Sequence, residues 1–206
     1  MLIEADHVQV TIGGRRIIDG LSLTCQPGEV TALIGQSGSG KTTLLHTLGL
    51  LLQPSSGRIL ADGSVISGRS ERFKREFWRK HVVFVLQDYG IIDEESVEFN
   101  VTLRNSRRSS APEVAAALNE VGLQGREKHP ASHLSGGEKQ RLAVARAIFR
   151  DADVLFIDEP TASLDADNRH LVSGLLRSFA DRGKTVVVAT HDEDLIRAAD
   201  VRHLLG

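Results

Sequence analysis

The chain has 206 residues, 41% hydrophobic and 25% charged, which suits a single domain with a sizeable core and leaves no room for two. A formal charge of −2 and a pI near 6.4 remove any bulk electrostatic case for a nucleic-acid partner. The one cysteine, Cys25, excludes an internal disulfide and a zinc cluster and reads as a small buried apolar residue.

The chain opens with two strand-like runs, Ile3 to Ile12 and Arg16 to Cys25, separated by the Gly13-Gly14 turn. The first residues lack a basic stretch followed by a long apolar run, so no signal peptide is expected. Glu29 to Ile34 is a short β-branched and apolar run of the kind buried in a parallel sheet, and a helix is expected from Lys41 to about Leu52, stopped by Pro54 and Gly57. The most apolar stretch, Leu44 to Leu52, is far below the ~20 residues of a membrane span. A hairpin-like pair follows over Gly57 to Ile66, then a helical segment from Ser70 to His81 and a strand from Val82 to Leu86. The pattern turns helical from Gly90 to Phe149, with Pro112 opening one segment and Gly122 closing it. Val154 to Ile157 and Thr185 to Ala189 are two more buried strands, with a helix from Ala166 to Arg182 between them. Strands alternating with helices predict a parallel α/β sheet with a helical insertion.

Gly35-Gln36-Ser37-Gly38-Ser39-Gly40-Lys41-Thr42, followed by Thr43, has the form G-x-x-x-x-G-K-S/T. The glycines let successive backbone N–H groups turn inward to phosphate oxygens, and the following helix adds the positive end of its dipole. Lys41 is placed to reach the β- and γ-phosphates and Thr42 to offer a hydroxyl to Mg²⁺. A glycine-rich turn alone would not require a buried strand before it and a helix after it. The apolar strand Val154-Leu155-Phe156-Ile157 ends in Asp158 and Glu159. Beside a phosphate loop these acids read as a metal-shell carboxylate and a general base for water.

Leu134-Ser135-Gly136-Gly137-Glu138-Lys139-Gln140-Arg141 precedes another helical run. It is a second anion site, a serine hydroxyl and glycine amides at a helix N-terminus. A capping box accounts for Ser135 and Glu138, three apart, but not for two consecutive glycines and the Lys-Gln-Arg tail.

With these three motifs in this order, the chain closely resembles the ABC ATPases, whose signature is LSGGQ or a near variant. The resemblance covers essentially the whole chain. It implies a RecA-like P-loop NTPase core with an antiparallel β subdomain, formed by residues 1–89 and 150–206, and an inserted helical subdomain at 90–149. It implies two copies facing head to tail, so that Ser135, Gly136 and Gly137 of one close on the γ-phosphate held by the other. Gln87 then matches the glutamine that contacts Mg²⁺ or water, Ser163-Leu164-Asp165 the loop that crosses the dimer interface, and His191 the histidine that contacts the γ-phosphate and Glu159. His46, His81 and His129 are left as structural.

Ile12 stands where the family places an aromatic residue on adenine, so apolar contact replaces ring stacking there. The stretch from Asn100 to Gly122 is shorter than in the small exporter ATPases, and no further regulatory domain is expected after His191. The run from Leu86 to Ile92 and that from Glu95 to Val101 look like the bacterial group serving lipoprotein, macrolide, haem and bacteriocin or antimicrobial-peptide exporters. The resemblance therefore implies an ATPase using ATP and Mg²⁺, a homodimer on a separate transmembrane permease at the cytoplasmic face of the membrane, and no nucleic-acid partner. A soluble relative acting in DNA maintenance or translation is the rival reading; it is disfavoured because no long coiled coil separates Thr42 from Ser135 and there is one ATPase unit.

Overall fold

A computed structural model describes residues 1–86, 90–103, 111–161 and 164–206. The described residues form two sheets and the helices packed around them. An antiparallel sheet is built from β1 (Ile3–Ile12), β2 (Arg15–Cys25), β4 (Ser56–Ala61) and β5 (Ser64–Val65), in the order β2-β1-β4-β5. A parallel sheet is built from β3 (Val30–Ile34), β6 (Val82–Val85), β7 (Val154–Asp158), β8 (Thr185–Ala189) and β9 (Val201–Leu204), in the order β6-β7-β8-β3-β9.

Strands β7 and β8 are buried along their whole length, as a parallel sheet covered on both faces requires. Alternation along β7 sorts its side chains. Phe156 joins the core shared with the antiparallel sheet and α1 (Lys41–Leu48), while Leu155 and Ile157 join the opposite core under α5 (Gly136–Phe149) and α6 (Ala166–Asp181). A third core, among α3 (Val97–Thr102), α4 (Ala111–Glu120) and α5, contains Val97, Leu118 and Leu142.

The helix starts explain themselves chemically. Ser70 caps α2 (Glu71–His81), Ser96 caps α3, Ser135 caps α5, Asp165 caps α6 and Asp192 caps α7 (Glu193–Ala198), each accepting from a first-turn backbone N–H. Helix α1 differs, since Gly40 precedes it at φ 97° with no side-chain cap. It also ends at Leu48 rather than near Leu52. Gly49 closes it, and Leu50 turns left-handed at φ 63°. Strand β9 and helix α7 were not expected from the sequence. No helix among the described residues is long and apolar enough to cross a membrane.

The candidate nucleotide site

Register brings the site together. Ala189 on β8 lies beside Leu33 of β3 on one side and Asp158 of β7 on the other. The segments that follow all leave the sheet at one carboxyl edge, the place where open α/β sheets take their ligands. Two backbone bonds extend that edge past the strands: Glu159 N donates to Ala189 O at 2.8 Å and Thr190 N to Leu33 O at 3.1 Å.

A cleft of about 730 Å³ opens there, lined by Gly35, Gln36, Ser37, Gly38, Gly40, Lys41, Thr42, Thr43, Glu159, His191, Ile12 and Ile17. Because α1 carries neither a side-chain cap nor a first-turn acid, its leading N–H groups are left for an anion. Gly35 holds φ 153°, and a Cβ there would fall 2.5 Å from Leu205 O and from Ser39 Oγ, so the loop's entry admits only glycine. Ser39 lies behind the loop, with Leu204 and Leu205, and its Oγ is buried without a hydrogen-bond partner.

Lys41 is 7% exposed. Its Nζ donates to Gly35 O at 2.9 Å and Gln36 O at 3.1 Å, and lies 3.9 Å from Glu159 Oε1. The ammonium is thus held over the loop between two carbonyls and a carboxylate. Glu159 has φ 48°, a left-handed conformation unusual for a non-glycine residue. That turn carries its carboxylate to His191, whose Nδ1 lies 2.9 Å from Oε2 and whose backbone N donates to the same oxygen at 3.4 Å.

Asp158 is buried beneath the cleft. Burial raises its carboxyl above the usual range, and a hydrogen bond from Thr42 opposes that shift. Its Oδ1 is buried without a hydrogen-bond partner. An orphaned carboxylate oxygen beside a threonine hydroxyl at the end of a phosphate loop is the donor set a hard divalent cation takes.

The second anion motif lies outside this cleft. Ser135 Oγ accepts from Glu138 N at 3.3 Å, and Glu138 Oε2 accepts from Ser135 N at 2.8 Å, a complete capping box. The Ser135 backbone bond, against modest burial, holds the Glu138 carboxyl below its usual range. A hydrogen bond from the Ser135 hydroxyl to the same carboxyl adds to that lowering. The two glycines differ: a Cβ on Gly136 would meet nothing within 4 Å, whereas one on Gly137 would lie 3.1 Å from Asn168 Cγ. Asp165 spends its carboxylate within the chain, accepting from Asn168 N at 2.8 Å.

Gln87 and Ser163 lie outside the described residues. Two participants escaped the sequence reading. Ile17 lines the cleft beside Ile12, and the hairpin register that pairs Ile12 with Arg15 was the available signal. Asn168 joins two motifs and carries no local signal. Cys25 is buried and its thiol is pushed up to about 12 by burial, as its expected inertness requires.

Comparison with known proteins agrees with the geometry. A family model described as "ABC transporter" matches residues 18–162. The chain is 34% identical to the lipoprotein-releasing system ATP-binding protein LolD of Porphyromonas gingivalis, covering 97% of this chain and 94% of that one. It is 37% identical to the macrolide export ATP-binding/permease protein MacB of Chlorobaculum tepidum, covering 90% of this chain but 29% of that longer protein. Its fold superposes on a dimeric post-hydrolysis structure of the ATP-binding cassette MJ0796 bound to ADP and Pi, with a TM-score of 0.88, 27% identity and coverage of 98% and 94%. The phosphate loop at the sheet edge, the acids of β7 beside it and the capped Ser-Gly-Gly helix start place this chain in the ABC transporter family, as an ATP-binding and ATP-hydrolysing cassette.

Proposed function

We propose that this chain binds Mg·ATP in the cleft along Gly35 to Thr43 and works as a head-to-tail pair that drives a separate transmembrane partner of the lipoprotein- or macrolide-exporter type, at the cytoplasmic face of the membrane. The observation that carries this reading is the convergence of Lys41, Glu159 and His191 on one cleft while Ser135, Gly136 and Gly137 lie outside it. A second phosphate site that does not serve its own cleft serves a neighbour's.

Each residue then has a chemical role. The loop amides and Lys41 hold the β- and γ-phosphates, and Ile12 and Ile17 give the base apolar cover. Asp158 and Thr42 would hold Mg²⁺, which would supply positive charge against the phosphates. Glu159 takes the proton of the attacking water, and His191 orients its carboxylate. The partner copy's signature segment supplies a hydroxyl and amides to the transferring phosphoryl group, stabilisation that exists only when the dimer is closed. Closure on ATP and opening after hydrolysis are two states whose balance the transmembrane partner reads. Helices α3 to α5, between residues 90 and 149, form a subdomain carrying the signature segment against that interface. The likeness to LolD over nearly the full length of both chains favours export over the soluble role in DNA maintenance or translation.

Size-exclusion chromatography with light scattering on Glu159→Gln tests the reading. That variant binds ATP, turns over at a small fraction of the parent rate and accumulates as an ATP-dependent dimer; adding Ser135→Arg leaves nucleotide binding and removes the dimer. Hydrolysis by Glu159→Gln near the parent rate overturns the base assignment, and an unchanged dimer with Ser135→Arg overturns the trans role of the signature.

A further inference from the structure

We propose that Asn168 is a positioning residue that locks the signature segment to Asp165 of the same chain, so that the two elements facing the partner copy move as one body. The inference rests on the head-to-tail reading above and adds to it a residue outside the three motifs.

The geometry is that of an amide bridge between opposite charges. Asn168 Oδ1 accepts from the Arg141 guanidinium in a short hydrogen bond, while Arg141 Nε donates to Val121 O at 3.0 Å. On its other side Asn168 Nδ2 donates to both oxygens of Asp165, at 2.9 and 3.0 Å, and its backbone N donates to Oδ1 at 2.8 Å. A carboxamide presents an acceptor on one side and donors on the other, so one side chain satisfies a cation and a carboxylate at once. Neither an aspartate nor a leucine does both.

The packing makes the same junction. Gly137, in the first turn of α5, lies against this side chain: a Cβ there would sit 3.1 Å from Asn168 Cγ, 3.2 Å from Oδ1 and 3.2 Å from Leu164 Cδ2. Gly136, next to it, has no such neighbour. The first glycine is open to an incoming group; the second is packed closely in the seam between α5 and α6, where a Cβ would press on the Asn168 side chain. Other charged contacts of the α5 start stay on the same side: Glu138 faces Arg126 at 3.8 Å and Lys139 faces Asp93 at 2.6 Å. Arg141, held by Val121 at the end of α4, reaches instead to α6. A shift of the helix that Ser135 caps is thereby transmitted to Asp165, the N-cap of α6 and the last residue of the interface loop. Asn168 does not line the nucleotide cleft, so its effect passes through the residues it holds.

The test uses the full chain. Asn168→Leu keeps the side chain's size and removes its hydrogen bonds to Arg141 and Asp165; Asn168→Gln retains the amide. Measured on Asn168→Leu are ATP affinity of the monomer, thermal midpoint, kcat, KM and, in the Glu159→Gln background, the ATP-dependent dimer constant. ATP affinity is expected to change less than about twofold, while dimerisation and kcat each fall about tenfold, the scale of one hydrogen bond to a charged group. Asn168→Gln recovers part of both losses. Arg141→Lys, which keeps charge but not the two-way fork, reproduces the split by a milder change. Parent-like dimerisation and kcat in Asn168→Leu overturn the proposal, as does a parallel loss of stability, ATP binding and kcat. If Ser135→Arg also dimerises normally, the head-to-tail reading itself has failed; if Ser135→Arg is defective and Asn168→Leu is not, only the bridge has.

Discussion

His191 holds Glu159 through two contacts on one oxygen, with Nδ1 2.9 Å and the backbone N 3.4 Å from Oε2. The other oxygen faces Lys41 at 3.9 Å. The carboxylate is fixed at both ends on a backbone turned to φ 48°, so its direction depends on these neighbours rather than on its own rotamer freedom. Removing the imidazole in His191→Ala leaves the backbone contact but frees the carboxylate. Turnover is expected to fall about 10²–10⁴-fold, the usual range for a positioned proton acceptor, while ATP affinity changes little. Steady-state phosphate release together with equilibrium nucleotide binding checks this. Turnover within a few-fold of the parent removes His191 from the site.

The base end of the cleft makes a separate prediction. Ile12 is 49% exposed and lines the cleft with Ile17, and among the described lining residues there is no Phe, Tyr or Trp. Aliphatic contact gives a purine area but no stacking geometry. Ile12→Tyr is therefore expected to tighten ATP and GTP alike, by about 0.5–1.5 kcal/mol, the value of a ring pair beyond area burial. Titration of both nucleotides with parent and variant measures it. An unchanged affinity means that the base does not lie against Ile12.

The phosphate loop was legible because its chemistry is contiguous: one strand, one loop and one helix supply it, in sequence order. The acids of β7 were legible through the same neighbourhood, and the capping box of Ser135 and Glu138 through its three-residue spacing. Strand β9 was not legible. Val-Arg-His-Leu is short and half polar, and it becomes a strand only because β3 offers a free edge, at Thr31 paired with Val201. The end of α1 was misplaced for a tertiary reason, since apolar periodicity continues through Leu52 while Gly49 must pass close to Phe84. The link between Arg141 and Asn168 joins two helices across a non-local contact, and no spacing rule reports it. Local chemistry was readable; pairings made by the sheet and the helix seams were not.

That passage at Gly49 has an energetic consequence. A Cβ there would fall 2.4 Å from one carbon of the Phe84 ring, 2.5 Å from another and 3.2 Å from Phe156, two rings stacked at 5.4 Å between centroids. Gly49 O also accepts from Trp78 Nε1 at 2.7 Å, fixing the end of α1 to α2. Gly49→Ala must displace packed ring carbons, so it is expected to destabilise the fold by about 1–3 kcal/mol, as overpacking does. Because α1 begins at the phosphate loop, ATP affinity should fall with it. Urea denaturation and nucleotide titration read the two effects, and a variant as stable as the parent would contradict the packing described.

Asp200 supplies a pH-dependent clamp on the same sheet. Its Oδ2 accepts from Val30 N at 2.8 Å and from Arg177 at 2.6 Å, while Arg177 also donates to Gly28 O at 2.7 Å. The Val30 backbone bond, and then Arg177, hold its carboxyl below the ordinary 3.8. A carboxyl depressed in the folded state gives stability that is present above the unfolded value and lost as pH falls through the folded one. Asp200→Asn keeps an acceptor for Val30 and removes the charge. Both members of the pair are partly exposed, so at neutral pH the loss is expected to be about 1 kcal/mol or less. The stability difference between parent and variant should be constant at neutral pH and narrow below 3.8. Urea midpoints of both proteins at neutral pH and at successive values below 3.8 measure the difference. A gap that stays the same or widens on acidification would mean that the charge of Asp200 does not hold β3 to α6.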